Sequence, residues 1–193
     1  MKPTIGFALC GSFCTFRKAI DSLKLLTDYD IIPIASEVAY STDTRFGKAA
    51  DFQREIEDFC GHAILHTIKD VEPLGPKRLL DALVIAPCTG NTLGKLANGI
   101  ADSAVSFACK AHLRNGRPVI LAVSTNDGLS GSAENIGKLL NRKHYYFVPF
   151  SQDDPKGKPY SLVAHFSLLP QTLQEALTGR QLSPLLQLQF EEN

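Results

Sequence analysis

No apolar run in the 193-residue sequence reaches 18 residues, which leaves nothing that would span a bilayer as a helix. The leading apolar stretch, Ile5 to Cys10, is too short for a secretory signal core. It runs straight into a helix-forming segment and so reads as a first strand. Neither sign of charge dominates: 20 Lys plus Arg stand against 20 Asp plus Glu, so no global field would gather nucleic acid. The five cysteines (Cys10, Cys14, Cys60, Cys88 and Cys109) offer no metal-like pairing. Cys10 and Cys14 are spaced C-x3-C, but no second pair completes a zinc site. Reduced thiols and a cytoplasmic location are the expectation. A G-x-G-x-x-G fingerprint is also missing, because Gly6 and Gly11 lie too far apart and Phe13 and Phe16 occupy places that want small residues. That argues against a conventional NAD site on this chain. Repeats and low-complexity tracts are absent too, and the length suits one domain over residues 1–193 with its own core.

What is present is an alternation of short apolar runs with longer amphipathic ones, the pattern of βαβ units. Strands are expected at Thr4 to Cys10, Ile31 to Ala35, Ala63 to Thr67, Asp81 to Ala86, Val119 to Val123 and Tyr145 to Val148. Continuous runs such as Leu83-Val84-Ile85 suit parallel strands covered on both faces. Helices are expected from Phe16 to Leu26, Thr44 to Phe59, Thr92 to Asn98, Ser103 to Leu113, Glu134 to Leu140 and Gln171 to Leu177. Pro87 is read as the stop of its strand. Gln152 to Pro159 reads as an exposed loop, and a C-terminal helix and tail fill 170–193, with the tail free to pack on a neighbouring protomer. The class is α/β, a three-layer Rossmann-like (flavodoxin-like) fold with a mostly parallel sheet of about six strands.

In such sheets, ligands sit beyond the carboxyl ends of the strands, where the strand order reverses. The turns selected by that rule are Gly11-Ser12, Ser36, Pro87 to Thr92, and Ser124 to Asn126, all small and polar. Gly11 allows close backbone approach, and Ser12 places a hydroxyl beside the free N–H groups of a helix N-terminus, which favours a phosphate. Serine after a strand equally well caps a helix, and both readings stand at this point. One glycine and two hydroxyls (Ser12 and Ser36) fit a mononucleotide phosphate. The segment APCTGNTLGKLANGIAD, Ala86 to Asp102, packs small residues around Asn91 and Thr92. It supplies both close backbone and a polar edge for a flat heteroaromatic ring.

That segment resembles the A-P-A-T-A-N-T-x-x-K-L-A-x-G-I-A-D motif of the flavin-dependent cysteine decarboxylase superfamily, matching at Ala86, Pro87, Thr89, Asn91, Thr92, Lys95 to Ala97 and Gly99 to Asp102. Gly11-Ser12 resembles the family's flavin phosphate turn and Ser36 its second-loop hydroxyl. Only Asn126 survives of the P-x-M-N-x-x-M motif. Four further blocks, Glu72 to Lys77, Ala86 to Asn91, Lys110 to Asn115 and Phe147 to Pro155, are similar to the B-subunit family of dipicolinate synthases.

The resemblance implies FMN as cofactor, with Gly11, Ser12, Pro87, Cys88, Thr89, Asn91, Thr92, Ser36 and Asn126 around it. It also implies an NAD(P)-binding A subunit as partner in a spore-forming bacterium, oxidation of a dihydrodipicolinate-type intermediate to dipicolinate, and a homo-oligomer. The superfamily's catalytic histidine falls at Glu72 or Pro73, so cysteinyl-peptide decarboxylation is not expected. A dicarboxylate substrate calls for cations, and Lys95, Lys110, Arg114 and Arg117 are the nearby ones, each also a type found solvated on surfaces. Cys88, His66 and His112 are the candidates for a thiol or proton carrier. Two other readings stay open: a non-catalytic assembly partner of the A subunit, and an FMN-dependent decarboxylase or prenyltransferase-like enzyme.

Overall fold

The computed structural model describes residues 2–187. Its centre is a parallel sheet of β1 (Thr4–Leu9), β2 (Asp30–Ala35), β3 (Ala82–Cys88) and β4 (Val119–Thr125) in the order β2-β1-β3-β4. The chain runs from β1 outward to β2, then crosses back to β3 on the other side of β1. The order therefore reverses between β1 and β3, and a crevice opens at their carboxyl ends.

Side-chain alternation splits the core into two layers. Ile5, Phe7, Ala82, Val84 and Ile120 face one side, against Phe16, Ile20 and Leu23 of α1 (Phe13–Leu23) and against Leu169 and Leu173 of the last helix. Ala8, Leu83, Ile85 and Leu121 face the other, with Leu93, Leu96, Val105 and Cys109 from the two helices that follow β3. Period-two burial on both faces is why the central strands read as unbroken apolar runs. The three-layer, mostly parallel α/β arrangement expected from the sequence is the one observed.

Several local expectations change. Ala63 to Thr67 forms no strand. Leu65 alone bridges Ile34, exchanging backbone bonds with Ala35 and Pro33 at 2.9 Å each. The helix expected from Thr44 starts later, as α3 (Ala49–Cys60), because Thr44 and Gly47 bond to each other's backbone in a tight turn. A short α2 (Glu37–Ser41) precedes that turn. After Leu65, Thr67 and Asp70 close a capping box that turns the chain into the short helix α4 (Ile68–Val71).

Pro87 does not stop β3. The strand passes through it to Cys88, with a register shift against β4 between Ile85 and Cys88 that removes the need for a proline N–H. Beyond β3 come α5 (Gly90–Asn98), α6 (Ala104–Leu113) and, after β4, α7 (Ala133–Leu140). The far edge of β4 is shared. Val119 to Leu121 pair in parallel with β5 (Tyr145–Phe147), and Ser124 and Thr125 pair antiparallel with β7 (Leu162–Ala164), which pairs with β6 (Phe150–Ser151). The described sheet thus has seven strands.

The loop between β6 and β7 is exposed from Asp153 to Tyr160. Pro170 lies in the first turn of α8 (Leu169–Leu177), and Gly179 follows it at φ 81°. The tail then runs along its own chain, Leu185 O accepting from Phe150 N at 3.0 Å; residues 188–193 of the expected tail lie outside the described residues. No described helix is long and apolar enough to cross a membrane.

Candidate functional site

In the turn after β1, Ser12 does not use its side chain to cap the helix that follows. Ser12 occupies the N-cap of α1 but makes no side-chain cap bond. Its hydroxyl lies 2.8 Å from Ser124 Oγ at the end of β4, and Thr15 Oγ1 closes the triangle at 3.2 Å from Ser12 Oγ and 2.8 Å from Ser124 Oγ. The first N–H groups of an eleven-residue helix are left without a side-chain acceptor. The N–H groups of the first turn, the positive end of the helix dipole and a knot of hydroxyls are groups chemically suited to an anion. Ser36 differs: its Oγ accepts from Ala39 N at 3.2 Å and caps α2. A hydroxyl that accepts a cap bond still has its own proton to donate.

The turn after β3 faces the first one across the switch point. Thr89 caps α5, accepting from Thr92 N at 3.3 Å, and Thr92 Oγ1 donates to Cys10 Sγ at 3.3 Å, tying the ends of β1 and β3 together. Gly90 is required by its neighbours: a β-carbon there would lie 2.6 Å from Ser132 Oγ, 2.7 Å from Thr125 Oγ1 and 2.8 Å from Asp127 Oδ1. Those three groups bond one another, Ser132 and Thr125 both donating to Asp127 Oδ1. Asn91 stands exposed just beyond, and Asn126 stands exposed on the loop after β4.

Between these turns lies an open cleft of about 790 Å³, lined by Gly11, Ser12, Thr89, Asn91, Ser124 and Asn126. Its outer walls come from two loops: Arg45 with Phe46 before α3, and Asp153 with Lys158 before β7. The Arg45 guanidinium lies 4.8 Å from the centre of the Phe46 ring. Burial alone would raise the Asp153 carboxyl, but donation from Ser161 and from Lys158 Nζ at 3.2 Å holds it below the usual range. A smaller recess of about 400 Å³ shares Gly11, Thr89 and Asn91 and extends to Ser36, Thr92 and Lys95. There Lys95 Nζ pairs with Asp102 at 2.8 Å, which holds the Asp102 carboxyl below its ordinary value.

The structure thus brings Gly11, Ser12, Ser36, Thr89, Asn91, Thr92, Lys95 and Asn126 to one place. It does not bring the others there. Pro87 and Cys88 are buried within β3, and burial raises the Cys88 thiol well above its ordinary value, with Cys10 and Cys109 adding to the effect. His66 stacks on Tyr40 with centroids 3.8 Å apart and lines neither space. His112 is 1% exposed, its Nε2–H donates to Pro118 O at 3.0 Å, and burial pushes its pKa down to about 4. Lys110 and Arg114 line a different pocket, and Arg117 is turned toward the Arg78 and Leu80 carbonyls. Sequence reasoning missed Arg45, Phe46, Asp127 and Lys158; the one signal available was that Asp127 directly follows Asn126 in a turn already selected.

Comparison with known proteins identifies the family and the fold. The Flavoprotein family model matches residues 1–160. The dipicolinate synthase B subunit of Bacillus subtilis (strain 168) is 44% identical over 191 residues, 98% of this chain and 96% of that protein. The crystal structure of the dipicolinate synthase B subunit from Bacillus halodurans C superposes with a TM-score of 0.89 at 40% identity, covering 97% of each chain. The FMN-dependent cysteine decarboxylase SpaF shares the fold, with a TM-score of 0.64 at 22% identity over 91% of this chain and 97% of that one. On both the family model and the near full-length relatives, the chain belongs to the Flavoprotein family, beside the B subunits of dipicolinate synthase.

Proposed function

We propose that this chain is the flavin-binding B subunit of a dipicolinate synthase, and that the cleft between the β1 and β3 turns holds FMN. The observation that carries flavin binding is Ser12, an N-cap residue that leaves its helix uncapped and turns its hydroxyl to Ser124 and Thr15. The donor set suits a phosphate, with the first N–H groups of α1 and the hydroxyls of Ser12 and Ser36 as the groups that would hold it. Gly11 and Gly90 line the cleft with bare backbone, which a flat ring can approach closely, and the exposed amides of Asn91 and Asn126 supply bonds to its polar edge. The dipicolinate assignment rests on the 44% identity to the Bacillus subtilis protein.

Bound flavin supplies a two-electron acceptor. Aromatising a dihydropyridine dicarboxylate removes two electrons and two protons, and the chain's own task is to hold that dianion over the cleft. Arg45 is the cation suited to it. It lines the cleft, and its planar fork matches a carboxylate, whereas Lys158 is already paired with Asp153. Lys95, one turn along α5 from Asn91, reaches the recess as a paired cation. The reading includes an NAD(P)-binding A subunit as partner and final electron carrier, a homo-oligomer of this chain, and work in the cytoplasm during sporulation.

The test is anaerobic mixing of the FMN-loaded chain with a dihydropyridine-2,6-dicarboxylate, with and without the A subunit. Bleaching of the visible flavin band, lost in Arg45→Gln, supports the reading. Oxidation by the A subunit alone at the full rate, with no bleaching, refutes it and makes this chain an assembly partner.

A further inference from the structure

A separate pocket of about 290 Å³ lies on the other side of α5, between the end of that helix, the outer face of α6 and the segment leading into β5. It is at the small end of ligand sites, which run from roughly 300 to 1,000 Å³. Four cations line it (Lys95, Lys110, Arg114 and Arg142) and, among the described residues, no carboxylate does. In a chain of zero formal net charge, that is a concentrated local excess. Lys95 is neutralised by Asp102. Arg142 spends its guanidinium on the carbonyls of Leu96 and Ala97, at 3.1 and 2.7 Å, which cap the helix but carry no full charge.

Among the described residues, Lys110 and Arg114 have no carboxylate within 4.0 Å. They stand four residues apart on one helix face, where like charges repel. An anion between them relieves that repulsion, and a concave surface of one sign concentrates its field. The rest of the lining is mostly apolar: Leu96 and Tyr145 are buried, Leu113 half-buried and Ile100 48% exposed, with Ser106 and Cys109 beside them. A cationic rim over an apolar floor selects a carboxylate on a flat apolar body over a bare inorganic anion.

We propose that this pocket is a second ligand site for a small cyclic carboxylate, held by Lys110 and Arg114 with its ring on Leu96, Ile100 and Tyr145. The site does not depend on flavin binding in the cleft. The probe is benzene-1,3-dicarboxylate titrated into the full chain and followed by amide NMR shifts. Saturable binding is expected with shifts at the end of α5 and along α6. The double variant Lys110→Gln, Arg114→Gln weakens it tenfold or more, and Arg45→Gln leaves it unchanged. Ile100→Glu, which places a carboxylate in the pocket and leaves both cations intact, weakens it as well and covers the case in which the double variant fails to fold. No saturation up to about 10 mM, or equal binding of inorganic phosphate, overturns the proposal. So does binding that Arg45→Gln abolishes and the double variant does not, which puts the anion in the cleft.

Discussion

The cleft at the strand ends and the sealed layer between β3 and α6 use opposite kinds of residue. The sealed layer holds the groups that look reactive: Cys88 and Cys109 are fully buried thiols raised by burial, and His112 is a buried imidazole pushed down to about 4. The cleft is lined at its strand-end turns by Gly11, Ser12, Asn91, Ser124 and Asn126, which carry no charge, and its charged lining residues (Arg45, Asp127, Asp153 and Lys158) stand on loops. Reactivity of type is thus a poor guide here, because burial in low dielectric disables ionisable groups that have no partner. Small polar residues at the carboxyl ends of strands build the site by what they leave open.

If that division is correct, substitutions in the sealed layer change stability and those in the cleft change ligand affinity. The largest effect belongs to His112. Its folded pKa is about 4 against an ordinary 6.5, so the unfolded chain takes up a proton between those values and the folded chain does not. Stability is full above pH 6.5, falls as the pH drops toward 4, and levels off below; the loss is on the order of 3 kcal/mol. Denaturant unfolding across that range measures it, and His112→Gln flattens the slope without altering flavin affinity. An unchanged slope would remove His112 from the account.

Gly90→Ala comes next. The new methyl meets Ser132, Thr125 and Asp127 at under 3 Å, costing about 2 kcal/mol of stability and opening the β3 turn. Flavin retention falls along with the melting temperature. Ser12→Ala isolates the cleft. No cap bond is lost and Ser124 keeps Thr15 as a partner, so stability falls by no more than about 1 kcal/mol while flavin affinity drops about tenfold, ~1.4 kcal/mol. Parallel losses in both would mean that Ser12 is structural. Smallest is Ser36→Ala, which removes a real cap from α2 and costs about 1 kcal/mol, read as a lower unfolding midpoint. A stability unchanged by that substitution would contradict the distinction drawn between the two serines.

The same contrast explains what the sequence made legible. Period and turn chemistry located β1, β2, β3 and β4, and from those the switch-point rule selected Gly11-Ser12, Ser36, Pro87 to Thr92 and Ser124 to Asn126, of which Pro87 and Cys88 lie buried in β3. These are local signals that packing reinforces. The Leu65 bridge in place of a strand was not legible, since Thr67 and Asp70 compete for the backbone just after it. Nor were β6 and β7, which exist because the end of β4 offers an open edge to residues about 40 positions away. Arg45 and Phe46 were hidden inside an expected helix, because the Thr44–Gly47 turn breaks a pattern that otherwise reads as helical. Whether Ser12 caps its helix depends on where Ser124 lies, 112 residues on, and no local window contains that.

The most direct measurement is the visible spectrum of the purified chain after saturation with FMN and desalting, beside Ser12→Ala and Asn91→Ala. A yellow wild-type protein that retains flavin stoichiometrically is expected, with two variants that fold equally well but lose it. A wild-type chain that stays colourless under saturating FMN would contradict the flavin assignment at its centre.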